Sequence, residues 1–212
     1  MKYYWVKTHR VVKWLLPKFL WEIKTDHKAV YLTFDDGPTP EITDWVLAQL
    51  QSFNAKATFF CIGNNVKNNP QIFKHIVESG HGIGNHTNDH CNGWNSDSDA
   101  YIKNVELCEA AISKNGGSIT KIFRPPYGKL KMKQSRQLQK MGYKIVMWDV
   151  LSADFDTCIT REACLNNVLR NIAPGSIIIF HDSVKAYTNL EYVLPKTLAF
   201  LNSEGYSCEV IA

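Results

Sequence analysis

No C-x-x-C pair occurs in this chain, and its six cysteines (Cys61, Cys91, Cys108, Cys158, Cys164 and Cys208) are too scattered for a dense disulfide framework. They read as small hydrophobes, most of them buried, which favours a reducing compartment. No short-period repeat, low-complexity tract or linker interrupts the 212 residues, so one domain is expected. A run of about 20 apolar residues is also missing, which excludes a spanning helix. Lys2 to Trp21 is basic and apolar, yet Lys13, Pro17 and Lys18 break it, short of the roughly 7–15-residue core of a signal peptide. No small-x-small cleavage site follows, so the expected location is cytoplasmic or inner-membrane-associated. Excess charge of one sign is confined to the start. Residues 1–28 hold seven Lys/Arg against two acids, a net of +5, and the remainder 17 against 18, a net of −1. A near-neutral body offers no basic face for nucleic acid.

Residues 1–28 are therefore expected to form a basic, apolar arm packed on a body spanning 29–212. The alternative for the arm is weak membrane-surface contact, with Trp5, Trp14, Phe19 and Trp21 inserted and Lys/Arg facing head groups. At 45% hydrophobic and 21% charged residues, the chain can bury a sizeable core. Apolar, β-prone runs at 29–34, 55–62, 82–85, 121–123, 143–148, 176–180 and 206–211 alternate with helical patterns. Thr39 with Pro40, and Asn69 with Pro70, read as helix starts, and Gly63, Gly80, Gly116-Gly117, Gly142 and Pro174-Gly175 as stops. Such alternation predicts a parallel sheet with helical crossovers, either doubly wound or closed into a barrel.

The polar residues of interest share one address. Asp35 and Asp36 follow the first of these strands, His86 and His90 the third, Arg124 the fourth, Asp149 and Asp154 the fifth, and His181-Asp182 the sixth. Parallel α/β folds build their active sites at that carboxyl end. Alone, Asp36-Gly37 is an ordinary turn, His90 a surface histidine, His181-Asp182 a strand-end pair and Arg124 a structural ion-pair partner. Together they do more. Two adjacent carboxylates resist double ionisation unless a cation lies near, and they converge only where a strand already bends. His86 and His90, four apart, suit one metal if they lie on a helical turn. One carboxylate completes a two-His, one-carboxylate set with an open position. His181 reads as a general acid and Arg124 as a group that orients a catalytic carboxylate.

Five ordered motifs now resemble the polysaccharide deacetylase family, the NodB-homology domain of carbohydrate esterase family 4. They are Thr33-Phe34-Asp35-Asp36, His86 to His90, Arg124 to Gly128, Trp148 to Phe155, and Ile179 to Asp182. The resemblance covers residue 29 to the C-terminus, which makes 29–212 a catalytic domain. It implies a distorted (β/α) barrel of about seven parallel strands. It also implies metal-dependent hydrolysis of N-acetyl groups on N-acetylglucosamine-type sugars of chitin-oligosaccharide or peptidoglycan type, with release of acetate. Asp35 matches the general base and His181 the general acid, while Asp36, His86 and His90 match the ligands of one divalent metal, zinc with cobalt or nickel as alternatives. Arg124 matches the residue tethering the base, the Tyr127 N–H an oxyanion donor, and Asp154 the partner of the catalytic histidine. Leu151, Phe155 and Ile179 depart from the family pattern (Asp, Trp and Leu) where the acetyl and sugar pocket is shaped. Substrate preference is thus more open than the reaction. The rivals are an O-acetyl esterase, a small N-acyl amide hydrolase, and a non-catalytic metal-holding carbohydrate-binding protein.

Overall fold

The computed structural model describes residues 5–117 and 120–211; residues 1–4 of the arm and Ala212 of the body lie outside it. In chain order the elements are α1 (Arg10–Leu15), β1 (Phe19–Leu20), β2 (Ala29–Asp35), α2 (Ile42–Ser52), β3 (Ala57–Cys61), α3 (Gly63–Asn68), α4 (Pro70–Glu78), β4 (Gly82–Asn85), α5 (Ser98–Lys114), β5 (Ile122–Phe123), α6 (Met132–Lys140), β6 (Lys144–Val146), β7 (Val150–Leu151), α7 (Arg161–Leu169), β8 (Ile177–His181), α8 (Tyr187–Ser203) and β9 (Ser207–Cys208). All strand pairings are parallel, in the order β1-β6-β5-β4-β3-β2-β8-β7, with β9 added to β2.

The sheet curls into a barrel-like wall because its two ends share one piece of chain. β6 pairs with β5, and only three residues later β7 pairs with β8. The N-terminal segment lies along this seam. β1 pairs with β6, Glu22 bridges Ser176, and the Leu151 N–H donates to the Val6 carbonyl at 2.8 Å. Every residue of β2 is buried, as expected of a central strand covered on both faces. Val30, Leu32 and Phe34 face the helices, where Phe34 stacks between Phe59 and Phe180 with centroids at 5.1 and 5.8 Å. Tyr31, on the alternate side, packs with Phe60, Ile122 and Ile177 inside the curl. Asp35 falls on that inner side at the strand's last position.

Three local expectations differ from what is found. The first long helix begins at Ile42 rather than Pro40, because Glu41 sits at φ 66°; Thr39 does not cap it but uses its N–H to bond the Thr43 hydroxyl. α3 follows β3 where Gly63 reads as a stop. A Cβ on Gly63 would lie 2.8 Å from Cys108 Cα, so the glycine lets α3 approach α5 closely. β1 and β7, two residues each, join the seven runs visible in the sequence.

Candidate active site

One backbone angle separates the two aspartates. Asp35 stays in strand register, opposite Phe60 on β3 and His181 on β8. Asp36 takes φ 86°, a left-handed conformation uncommon for a non-glycine residue. That twist turns the second carboxylate toward the loop after β4 instead of the far face of the sheet. The turn is held from three sides. Asn65 Nδ2 bonds the Asp36 carbonyl at 2.7 Å, the Gly37 N–H donates to Asp182 Oδ1 at 3.0 Å, and the Thr43 hydroxyl donates to Asp182 Oδ2 at 2.5 Å. A Cβ on Gly37 would come within 2.0 Å of that carboxylate, so only glycine fits. Burial pushes the Asp182 pKa up to about 8, the Thr43 bond acting against it and the Asp36 charge adding to it.

His86 and His90 do not share a helical turn, contrary to the spacing argument. They lie on a loop in which Thr87 and His90 have φ 65° and 61°, and this folding back brings the rings to 5.1 Å. Asn85 sets the loop up by accepting the Thr87 N–H and bonding the Val105 carbonyl. His86 Nδ1 donates to the Arg124 carbonyl at 2.8 Å, which leaves a lone pair on Nε2. Burial and the nearby His90 push its pKa down to about 3, so the ring is neutral at pH 7. His90 Nδ1 lies 3.0 Å from the Tyr127 hydroxyl; the tautomer that donates there also frees Nε2.

Asp36 Oδ1 is the atom these groups surround. It is buried without a hydrogen-bond partner among the described residues, 3.3 Å from His90 Nε2 and 3.8 Å from His86 Nε2. A carboxylate oxygen so placed costs about 1–3 kcal/mol or more unless something satisfies it. One ligand atom each from Asp36, His86 and His90 lies within 4.8 Å of the others. One oxygen and two imidazole nitrogens fit a divalent cation with positions to spare.

Asp35 belongs to a separate network. The Arg124 side chain, fully buried from the loop after β5, donates from one guanidinium nitrogen to Asp35 Oδ1 and the Thr33 hydroxyl, both at 2.7 Å. Its other terminal nitrogen bonds the Met147 carbonyl at 2.8 Å, and the group lies 4.1 Å above the Phe60 ring. Burial lowers the arginine pKa, and Asp35 acts against that. At β8's end, His181 Nδ1 is 2.8 Å from Asp154 Oδ1, and its backbone N–H donates to Oδ2 at 2.7 Å. Burial disfavours the charged ring, but the Asp154 charge and hydrogen bond, with Asp36 and Asp35 behind them, raise the pKa to about 9. Tyr127 sits at φ 61°, and its backbone N–H meets no acceptor among the described residues.

Asp35, Asp36, His86, His90, Tyr127 and His181 open onto one cavity of about 610 Å³, walled on its apolar side by Trp148, Leu151, Phe155 and Ile179. Arg124 and Asp154 stand behind it. Asp149 is the exception among the strand-end residues. Trp148 turns its indole into the cavity, whereas Asp149 turns outward to Lys7, Lys13 and Ser176. Two supports were not assigned from the sequence. Thr33 accepts from Arg124, and Asp182 braces the Asp36-Gly37 turn; a signal existed only in their adjacency to the motif residues.

The family model described as polysaccharide deacetylase matches residues 22–146. The chain belongs to that family. The polysaccharide deacetylase reaction is hydrolysis of an acetamide C–N bond with a divalent metal at the site. A peptidoglycan-N-acetylglucosamine deacetylase of Bacillus cereus is 38% identical over 154 residues, 73% of this chain and 56% of that protein. A second of the same name and organism is 34% identical over 187 residues, 88% of this chain and 87% of that protein. The crystal structure of the Bc1960 peptidoglycan N-acetylglucosamine deacetylase, bound to 4-naphthalen-1-yl-N-oxidanyl-benzamide, superposes with a TM-score of 0.87 at 31% identity, covering 94% of each chain.

Proposed function

We propose that this polysaccharide deacetylase removes N-acetyl groups from N-acetylglucosamine-type residues of a peptidoglycan or chitin-type glycan, releasing acetate. The observation that carries the assignment is the convergence on one cavity of three separately held parts. These are the unpartnered Asp36 oxygen between two histidine nitrogens, the Arg124-tethered Asp35, and the Asp154-paired His181. When bound by Asp36, His86 and His90, a divalent metal, proposed to be zinc, supplies Lewis-acid polarisation of the acetyl carbonyl and acidifies water.

Asp35 takes the proton from the attacking water as the oxygen–carbon bond forms, while Arg124 keeps its carboxylate aimed. The Tyr127 N–H donates to the carbonyl oxygen as negative charge develops there. His181 gives its proton to the sugar nitrogen as the C–N bond breaks, so the products are acetate and a free amine. Trp148, Leu151, Phe155 and Ile179 form a dry wall for the acetyl methyl group. An imidazolium with a raised pKa favours an amide substrate over an ester, because an amine leaves only once protonated. A sugar-binding protein needs neither the Asp35 nor the His181 network.

The test is acetate release from chito-oligosaccharides, peptidoglycan fragments and acetylated xylan, with and without chelator. Release from one of the first two that chelator stops is expected. Release from xylan alone, or none from any substrate with metal bound, contradicts the assignment.

A further inference from the structure

Four of the large apolar side chains that the fold leaves in water, Trp5, Val11, Trp14 and Leu15, fall within one short stretch, each 62–77% exposed. α1 explains the clustering. Val12 and Leu16 turn inward onto the core around Trp21 and Tyr101. Val11, Trp14 and Leu15 recur at i, i+3 and i+4 and turn outward together. The helix is thus apolar on both sides, whereas a surface helix is ordinarily polar on its outer side.

This outer side is presented rigidly. Lys7 and Lys13 both bond the Asp149 carboxylate, the Thr8 hydroxyl bonds the Trp148 carbonyl at 2.8 Å, and β1 is paired to β6. The charges left over nearby are positive. Arg10, the first residue of α1, and Lys18, three residues past its end, are exposed and make no ion pair among the described residues. The nearest acid along the chain, Glu22, is already bonded to Lys13. A second copy of the same face would bring like charges together. A soluble polyanion would match the cations and leave Trp14 and Leu15 wet. An anionic bilayer surface answers both.

We propose that this face docks on an anionic lipid surface, with Val11, Trp14 and Leu15 entering the head-group boundary and Arg10 and Lys18 pairing with lipid phosphates. No helix among the described residues is long and apolar enough to cross a membrane, so the contact is peripheral. It is independent of the reaction assigned to the cavity.

Flotation of the full chain with phosphatidylcholine vesicles, with and without phosphatidylglycerol, tests it. Binding is expected only to the anionic vesicles, weakening with salt, with a blue shift of tryptophan emission. Trp14→Ala with Leu15→Ala should bind about tenfold more weakly. Arg10→Gln with Lys18→Gln should flatten the salt dependence. All these side chains are exposed, so both variants should melt as the parent does. Failure of the parent chain to float overturns the proposal, as does undiminished flotation of the Trp14/Leu15 variant. Equally tight binding of both to dextran sulfate points to a polyanion instead. A concentration-dependent dimer lost in Trp14→Glu assigns the face to a second copy.

Discussion

Asp35 and Asp36 occupy neighbouring positions, yet a left-handed torsion at the second gives each a different set of partners. Asp36 Oδ1 faces two imidazole nitrogens and accepts no hydrogen bond among the described residues; Asp35 faces a guanidinium. Their mutual repulsion is thus met on one side by the Arg124 guanidinium and would be met on the other by a divalent metal held by Asp36, His86 and His90. The sequence displays both carboxylates and the reason they need a cation. The turn that sorts them is braced by Asp182, which reaches from the end of neighbouring β8 to the Gly37 N–H, and adjacency to His181 in the chain does not reveal that pairing. At His181 the sign of the pH effect follows from the raised pKa of about 9. The imidazolium is present at neutral pH and is lost as pH rises through that value, so turnover should fall on the alkaline side near pH 9. Asp154→Asn removes the charge that opposes burial. Its alkaline limb should move toward the ordinary histidine value of about 6.5 or below. A pH–rate profile of the two proteins checks this, and an unmoved limb would show that the limb reports another group.

Among whole elements, strands carry the site and the loops after them aim it. Of the seven non-glycine residues with positive φ among the described residues, Asp36, Thr87, His90, Tyr127 and Ala153 all lie in the connections that follow strands at the cavity end of the sheet. Held strain of this kind, of order 1–3 kcal/mol per residue, persists where surrounding contacts over-determine it. Such torsions are poorly legible in a sequence, which is why His86 and His90 suggest a helical turn that the chain does not form. The seam is the other feature the pattern hides. β1 lies inside the basic, apolar arm and β7 directly after the run at 143–148, so neither stands out as a run of its own and both show only through their hydrogen bonds. Asp149, aligned by sequence with the site, instead fastens this seam through Lys7, Lys13 and Ser176. Burial opposes its ionisation, but those hydrogen bonds hold its pKa below the usual carboxylate value. That stability is present at neutral pH and is lost as pH falls. Asp149→Asn should cost about 2–3 kcal/mol, or roughly 5–10 °C in Tm for a chain of this size. Thermal melting together with KM for a soluble substrate separates this role from a catalytic one, since KM should not change.

For the molecule as a whole, the alternation of strand and helix is enough to show a parallel sheet with helical crossovers, and the motif order is enough to show the family and, through it, the barrel. The sugar remains open, because Leu151, Phe155 and Ile179, which form the apolar wall of the cavity, are the positions that depart from the family pattern. The metal ligands come from the end of β2 and the loop after β4, so binding should tie two loops to the fold. At a thousandfold excess over Kd it should add about 4 kcal/mol, roughly 8–16 °C in Tm. Melting with metal and with chelator checks it, and identical curves would mean the three residues hold no ion. The division of labour between the adjacent aspartates is read out by measuring bound metal and acetate release on the same samples of Asp35→Asn and Asp36→Asn. Asp35→Asn should keep one metal per chain and lose turnover by about 10³-fold, whereas Asp36→Asn should lose the metal itself. An Asp35→Asn protein that turns over like the parent, or an Asp36→Asn protein that keeps its metal, would contradict the account.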